Sequence, residues 1–160
     1  MNVYELAKKM ELEGEEYYNR LAESAKDKGL KKIFMDLAED ERRHYNIISN
    51  IESNIGFCDD TYTKQEDSTV FTNRFELDKI NIIDKSQIKA YEHAAALEKE
   101  SINFYNEKIK EAESDCESIL FNILMKEEKK HLETLEFVIR YLRNAQEWVE
   151  SAEFTHGEEY

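Results

Sequence analysis

The feature that most restricts the fold of this chain is an internal repeat. Shifting the sequence by 87 residues lays positions 7–48 on positions 94–135 without a gap, and ten of the 42 pairs are identical. Ordinary residue usage would give about two or three. The matches include Ala7/Ala94, Glu11/Glu98, Glu13/Glu100, Tyr18/Tyr105, Phe34/Phe121, Leu37/Leu124, Glu41/Glu128 and His44/His131. A unit repeated once, without internal insertions, predicts two similar substructures packed with pseudo-twofold symmetry.

Each unit reads as a pair of helices. The chain has no proline and four glycines, so little interrupts a helix. Apolar residues recur at helical spacing in four segments. These run from about Asn2 to Lys26, Leu30 to Ser53, Ser86 to Ala112, and Cys116 to Trp148. On the first, the stripe is Leu6, Met10, Gly14, Tyr17, Tyr18 and Leu21. Asp27-Lys28-Gly29 and Ser114-Asp115 are the short links, and links this short make antiparallel hairpins. The connection between the hairpins, about residues 55–85, is long enough to run the height of a bundle, with room for a short helix near Phe71 to Leu77. It allows the third helix to start at the far end, parallel to the second. The expected fold is therefore all-α: a four-helix bundle over 1–148 with one long crossover, and a C-terminal tail at 149–160.

Charge narrows the function. The net charge of −14 repels phosphate backbones, which argues against nucleic acid as a partner. No apolar run approaches the roughly 20 residues of a spanning helix, so no membrane partner is expected. The opening residues mix charged and apolar groups as an amphipathic helix does, and a cytoplasmic location is expected. Cys58 and Cys116 form no C-x-x-C pair and read as reduced thiols.

The repeat carries a specific set of side chains. Each unit has one Glu on its first helix and a Glu-x-x-His on its second: Glu11 with Glu41 and His44, then Glu98 with Glu128 and His131. Residues three apart share a helix face, so each Glu-x-x-His pair can reach one ion. Residues equidistant from a hairpin turn stand at the same height. Glu11 and His44 flank the first turn symmetrically, as Glu98 and His131 flank the second, so all six groups should meet at one level. Their neighbours at helical spacing are apolar or small, which turns them inward. Four bare carboxylates in a core would cost several kcal/mol or more. Two divalent cations would balance them. This is a ligand set known for di-iron and di-manganese carboxylate bundles.

Other acidic and imidazole groups compete for the role. Glu13 and Glu100 repeat too, but lie about 200° around the helix from the ligand face and read as solvated. Glu16 is likewise a surface acid. Glu15, one turn from Glu11, is an alternative ligand. His93 and His156 read as surface histidines. Asp40 and Glu127 directly precede the two Glu-x-x-His motifs and can accept the second imidazole N–H of the histidines. Tyr18 and Tyr105 lie two turns from Glu11 and Glu98, either to hydrogen-bond a ligand carboxylate or to pack the core.

In the segments AKKMELEGEEYYNRLA, IFMDLAEDERRH, AAALEKESINFY and LFNILMKEEKKH, the sequence resembles the rubrerythrin branch of ferritin-like proteins. The likeness covers about residues 5–140. It implies a diiron site that reacts with hydrogen peroxide or dioxygen, with Glu11, Glu41, His44, Glu98, Glu128 and His131 as iron ligands. Two departures qualify it. Rubrerythrins often carry a further ligand Glu one turn after the third-helix Glu, where this chain has Ser101. Full-length rubrerythrins also carry a rubredoxin-like four-cysteine site, for which this sequence lacks the cysteines. Bacterioferritin has a similar symmetric set, but Arg42 stands where its haem-ligand Met would be.

The expected activity is that of a non-haem diiron oxidoreductase, reducing peroxide or dioxygen with electrons from an external donor such as a rubredoxin. A ferroxidase-type iron-binding or sensing role, and a metal-free helical scaffold, are the alternatives. Iron is the expected metal, with manganese or zinc also compatible with the ligands, and a homodimer is the expected assembly.

Overall fold

The computed structural model describes residues 1–53 and 85–156. The crossover, with its expected short helix and Cys58, lies outside the described residues. Among the described residues four helices follow in order: α1 Val3–Ser24, α2 Lys28–Ser53, α3 Lys85–Glu111 and α4 Asp115–His156.

Local chemistry sets the helix starts. Asn2 caps α1: its side chain accepts the Glu5 N–H at 2.8 Å, while the Glu5 carboxylate accepts the Asn2 N–H at 3.1 Å. This reciprocal pair satisfies two otherwise orphaned donors. Asp27 caps α2 singly, its side chain accepting the Leu30 N–H at 3.0 Å. The break falls at residues 25–27, two residues earlier than the sequence suggests, so Gly29 lies inside the first turn of α2. Ser114 caps α4 through the Glu117 N–H at 3.2 Å. At the other end α4 continues past Trp148 to His156. Trp148 is exposed, and no tertiary contact is needed to prolong a helix through AQEWVESAE, which contains neither Gly nor Pro. Cys116, expected as a reduced thiol, is instead disulfide-bonded; spacing along a sequence does not reveal which groups a folded helix start meets.

The helices pair as two hairpins, α1 with α2 and α3 with α4. Tyr17 of α1 donates its hydroxyl to the Ala90 carbonyl, whereas Tyr4 meets Glu117 and Phe121 near the opposite end. Tyr105 of α3 reaches back to Glu11. Thus α1 runs antiparallel to α3, and α2 parallel to it, as one long crossover requires. This is a ferritin-like four-helix bundle. No helix among the described residues is long and apolar enough to cross a membrane.

The core has two apolar clusters. One gathers Tyr18, Phe34, Leu37, Tyr91, Leu135 and Leu142, and the other Ala7, Ile48, Tyr105, Phe121 and Leu124. On every helix the six predicted site residues fall between the stretches that feed these clusters. The bundle is therefore apolar at both ends of its core and ionisable at its middle.

Candidate metal centre

Helix geometry brings the six side chains together. Glu11, Glu41, His44, Glu98, Glu128 and His131 are each between 0% and 4% exposed. They form two overlapping groups whose candidate ligand atoms lie within 4.8 Å of one another. The first is Glu11, Glu41, His44 and Glu128; the second is Glu98, Glu41, His131 and Glu128. Glu41 and Glu128, one from each Glu-x-x-His, belong to both. The imidazoles of His44 and His131 lie nearly parallel, with ring centres 5.5 Å apart and an interplanar angle of 18°.

The histidines are held at both ring nitrogens. His44 Nδ1 faces Glu11 Oε2 at 3.2 Å, and its Nε2 faces Glu127 Oε2 at 3.1 Å. His131 Nδ1 faces Glu41 Oε1 at 3.1 Å, and its Nε2 faces Asp40 Oδ2 at 3.3 Å. The outer carboxylates thus sit where the sequence suggests, but crossed: each serves the histidine of the other hairpin. Arg43 ties the two together, with Nη2 3.2 Å from Asp40 and 2.5 Å from Glu127. The tyrosines cross as well. Tyr18 donates its hydroxyl to Glu98, and Tyr105 donates to Glu11. Sequence periodicity sees one hairpin at a time, so these inter-hairpin partners were not visible in it.

The other candidates sit elsewhere. Glu15 pairs with Arg42 at 2.8 Å and belongs to neither group. Glu13 and Glu16 are exposed partners of Lys9 and Arg20, and Glu100 is exposed. His93 is exposed beside the Tyr17 ring. The side chain of His156 lies outside the described residues.

Without cations the cluster holds protons. Burial, then the charges of Glu128 and Glu11, push the Glu41 carboxyl far above its ordinary range. Burial and Glu128 raise Glu98 to about 8, against the opposing pull of His131. Burial works against charge on the imidazoles, yet the surrounding carboxylates outweigh it and hold His44 and His131 well above the usual value. Burial alone would raise Glu128, but the adjacent imidazoles keep it well below. Glu127, beside His44 and Arg43, is lowered to about 2 despite its partial burial. Tyr18 and Tyr105, buried against carboxylates, are raised well above their normal value and remain donors.

Glu128 carries the clearest sign that a cation fits. Its oxygens lie 3.2 Å from His44 Nδ1 and 3.3 Å from His131 Nδ1. Each Nδ1 makes its hydrogen bond with Glu11 or Glu41 instead, and both Glu128 oxygens stay buried without a hydrogen-bond partner. A buried carboxylate left without donors is costly. A hard cation between Glu41 and Glu128 would satisfy it. The oxygen and imidazole donors suit iron, manganese or zinc.

The family model described as rubrerythrin matches residues 2–139 of this chain. Among solved structures, a hypothetical protein from Pyrococcus furiosus is 22% identical, with a TM-score of 0.65 over 86% of this chain and 86% of its own. At that identity the likeness shows the fold alone. No curated protein matches the chain.

Proposed function

The chain belongs to the rubrerythrin family, and from that premise we propose that it is a non-haem diiron oxidoreductase that reduces hydrogen peroxide or dioxygen. The observation that carries the proposal is the pair of overlapping four-residue groups sharing Glu41 and Glu128 in a buried layer. Glu11 and His44 would complete one iron's protein ligands, and Glu98 and His131 the other's. Two ferrous ions, when bound, supply the two electrons that split an O–O bond.

The protein's own contribution is positional and electrostatic. Glu127 and Asp40 hold the imidazoles by Nε2, which leaves both Nδ1 atoms turned to the shared carboxylates. A carboxylate behind a ligating histidine fixes its orientation and raises its basicity. Tyr18 and Tyr105 fix the outer carboxylates Glu98 and Glu11 by donating to them. The apolar clusters above and below exclude water. Each peroxide reduced to two waters takes up two electrons and two protons. On this reading an outside donor such as a rubredoxin restores the electrons.

The test is direct. Protein loaded with ferrous iron under anaerobic conditions is mixed separately with peroxide and with oxygen. Ferrous iron should disappear faster than in the Glu11→Ala, Glu98→Ala double variant, and equal rates would sink the proposal. The symmetric ligand set, with Ser101 rather than a further Glu one turn after Glu98, favours one alternative, ferroxidase-type iron handling or sensing. Repeated turnover with an added donor separates the two, because the alternative gives a single oxidation for each loading.

A further inference from the structure

A centre this buried needs a way in, and the two ends of its pseudo-twofold axis are built differently. At the α2–α4 end, Arg43 bridges Asp40 and Glu127 directly behind the histidines. Its repeat counterpart is Lys130. That wall is closed by an ion-pair network that fills the space behind the histidines. At the α1–α3 end a cavity of about 120 Å³ lies between the helices. Its lining includes Glu41 and Glu98, so it reaches the centre itself.

The lining follows the repeat. Met10 pairs with Leu97, Glu13 with Glu100, and Gly14 with Ser101, each 87 residues apart, and all six line the cavity. The apolar pair forms the walls, the exposed acidic pair marks the rim, and the small pair is the throat. Gly14 is a helix-interior glycine, which costs about 1 kcal/mol relative to Ala. A methyl there would come within 3.3 Å of Glu41 Cδ, so a side chain at this position would press on a carboxylate of the centre.

We infer that this opening is the path by which divalent cations enter the centre, with Gly14 and Ser101 setting its width and Glu13 and Glu100 its charge. The inference rests on the metal-binding reading above. Two carboxylates about 10 Å from a passing divalent ion raise its local concentration roughly threefold at 0.1 M ionic strength, an attraction largely screened at 1 M.

Cobalt uptake by chelator-treated full-length protein tests it, read from the visible absorption of the bound ion after stopped-flow mixing. The wild type should take up two cobalt ions. Ser101→Phe should reach the same stoichiometry at least tenfold more slowly. Asn19→Phe, which fills the separate groove beside Leu12 and Arg42, should leave the rate unchanged. Glu13→Gln with Glu100→Gln should slow uptake about threefold at 0.1 M salt and not at 1 M. Unaltered uptake in Ser101→Phe, or equal slowing in Asn19→Phe, overturns the inference. Should Ser101→Phe misfold, Ser101→Leu and the double Gln variant decide by the same criteria, and wild-type rates in both overturn it. A wild type that binds no cobalt overturns the metal-centre reading itself, and the entrance with it.

Discussion

Stripping metal from the centre should produce a protein whose stability falls as pH rises, by an amount that Glu98 allows to be worked out. Buried and facing Glu128, its carboxyl titrates at about 8 rather than at the ordinary 4.5. The folded chain therefore binds this proton more tightly than the unfolded chain. The resulting stability is complete below about pH 4.5 and drains away as pH climbs towards 8. At ~1.4 kcal/mol per pH unit, the interval from pH 5.5 to 8 removes about 3 kcal/mol through Glu98 alone. Glu41, His44 and His131 are also raised and act in the same direction. Glu128 is lowered, so its contribution is lost only as pH falls below the ordinary carboxylate range. It is constant over this window. For a chain of this size, ~3 kcal/mol corresponds to a Tm lower by roughly 6–12 °C. Calorimetric melts of chelator-treated protein between pH 5.5 and 8 measure it. Glu98→Gln, which mimics the protonated carboxyl, should flatten the slope. Bound metal should reverse it, because the cations displace the protons. An apo-protein Tm that holds steady or rises across the interval refutes the reasoning.

The crossed hydroxyls predict matched effects. Tyr18→Phe and Tyr105→Phe should each weaken cobalt binding by about tenfold, the loss of one hydrogen bond to a charged group, as measured by calorimetric titration. Arg43→Gln should lower stability by about 1–3 kcal/mol in urea denaturation, because Asp40 and Glu127 lose their shared partner. Arg42→Gln removes an outer pair with Glu15 and a guanidinium–ring contact with Tyr45, and should stay within about 1 kcal/mol. Leu124→Ala, fully buried beside Phe121, should cost about 2–5 kcal/mol by the same assay.

Much of this architecture was legible because the repeat fixes heights as well as helices. Offsets that are the same in both halves place Glu11, His44, Glu98 and His131 at one level, and the structure brings those side chains together. Helix ends were less legible, since they depend on which side chain caps them. Asp27 takes the Leu30 N–H and draws Gly29 into α2. On α1 the buried stripe takes in Ala7, which is fully buried, rather than Leu6, which is 38% exposed. A smaller residue can face the closest helix contact, and hydrophobicity alone does not show that. The partners of Asp40, Glu127, Tyr18 and Tyr105 cross between hairpins, so no period within one helix could reveal them. The sharing of Glu41 and Glu128 by both groups likewise follows from how the two hairpins oppose each other.

The most direct test of the central claim is metal stoichiometry under anaerobic loading. Ferrous iron bound per chain is counted by elemental analysis after gel filtration, for the wild type and for Glu41→Ala with Glu128→Ala. The account predicts two ions per chain in the wild type and none retained once the carboxylates common to both groups are gone. A wild type that retains no iron, or a double variant that still holds two ions, would contradict it.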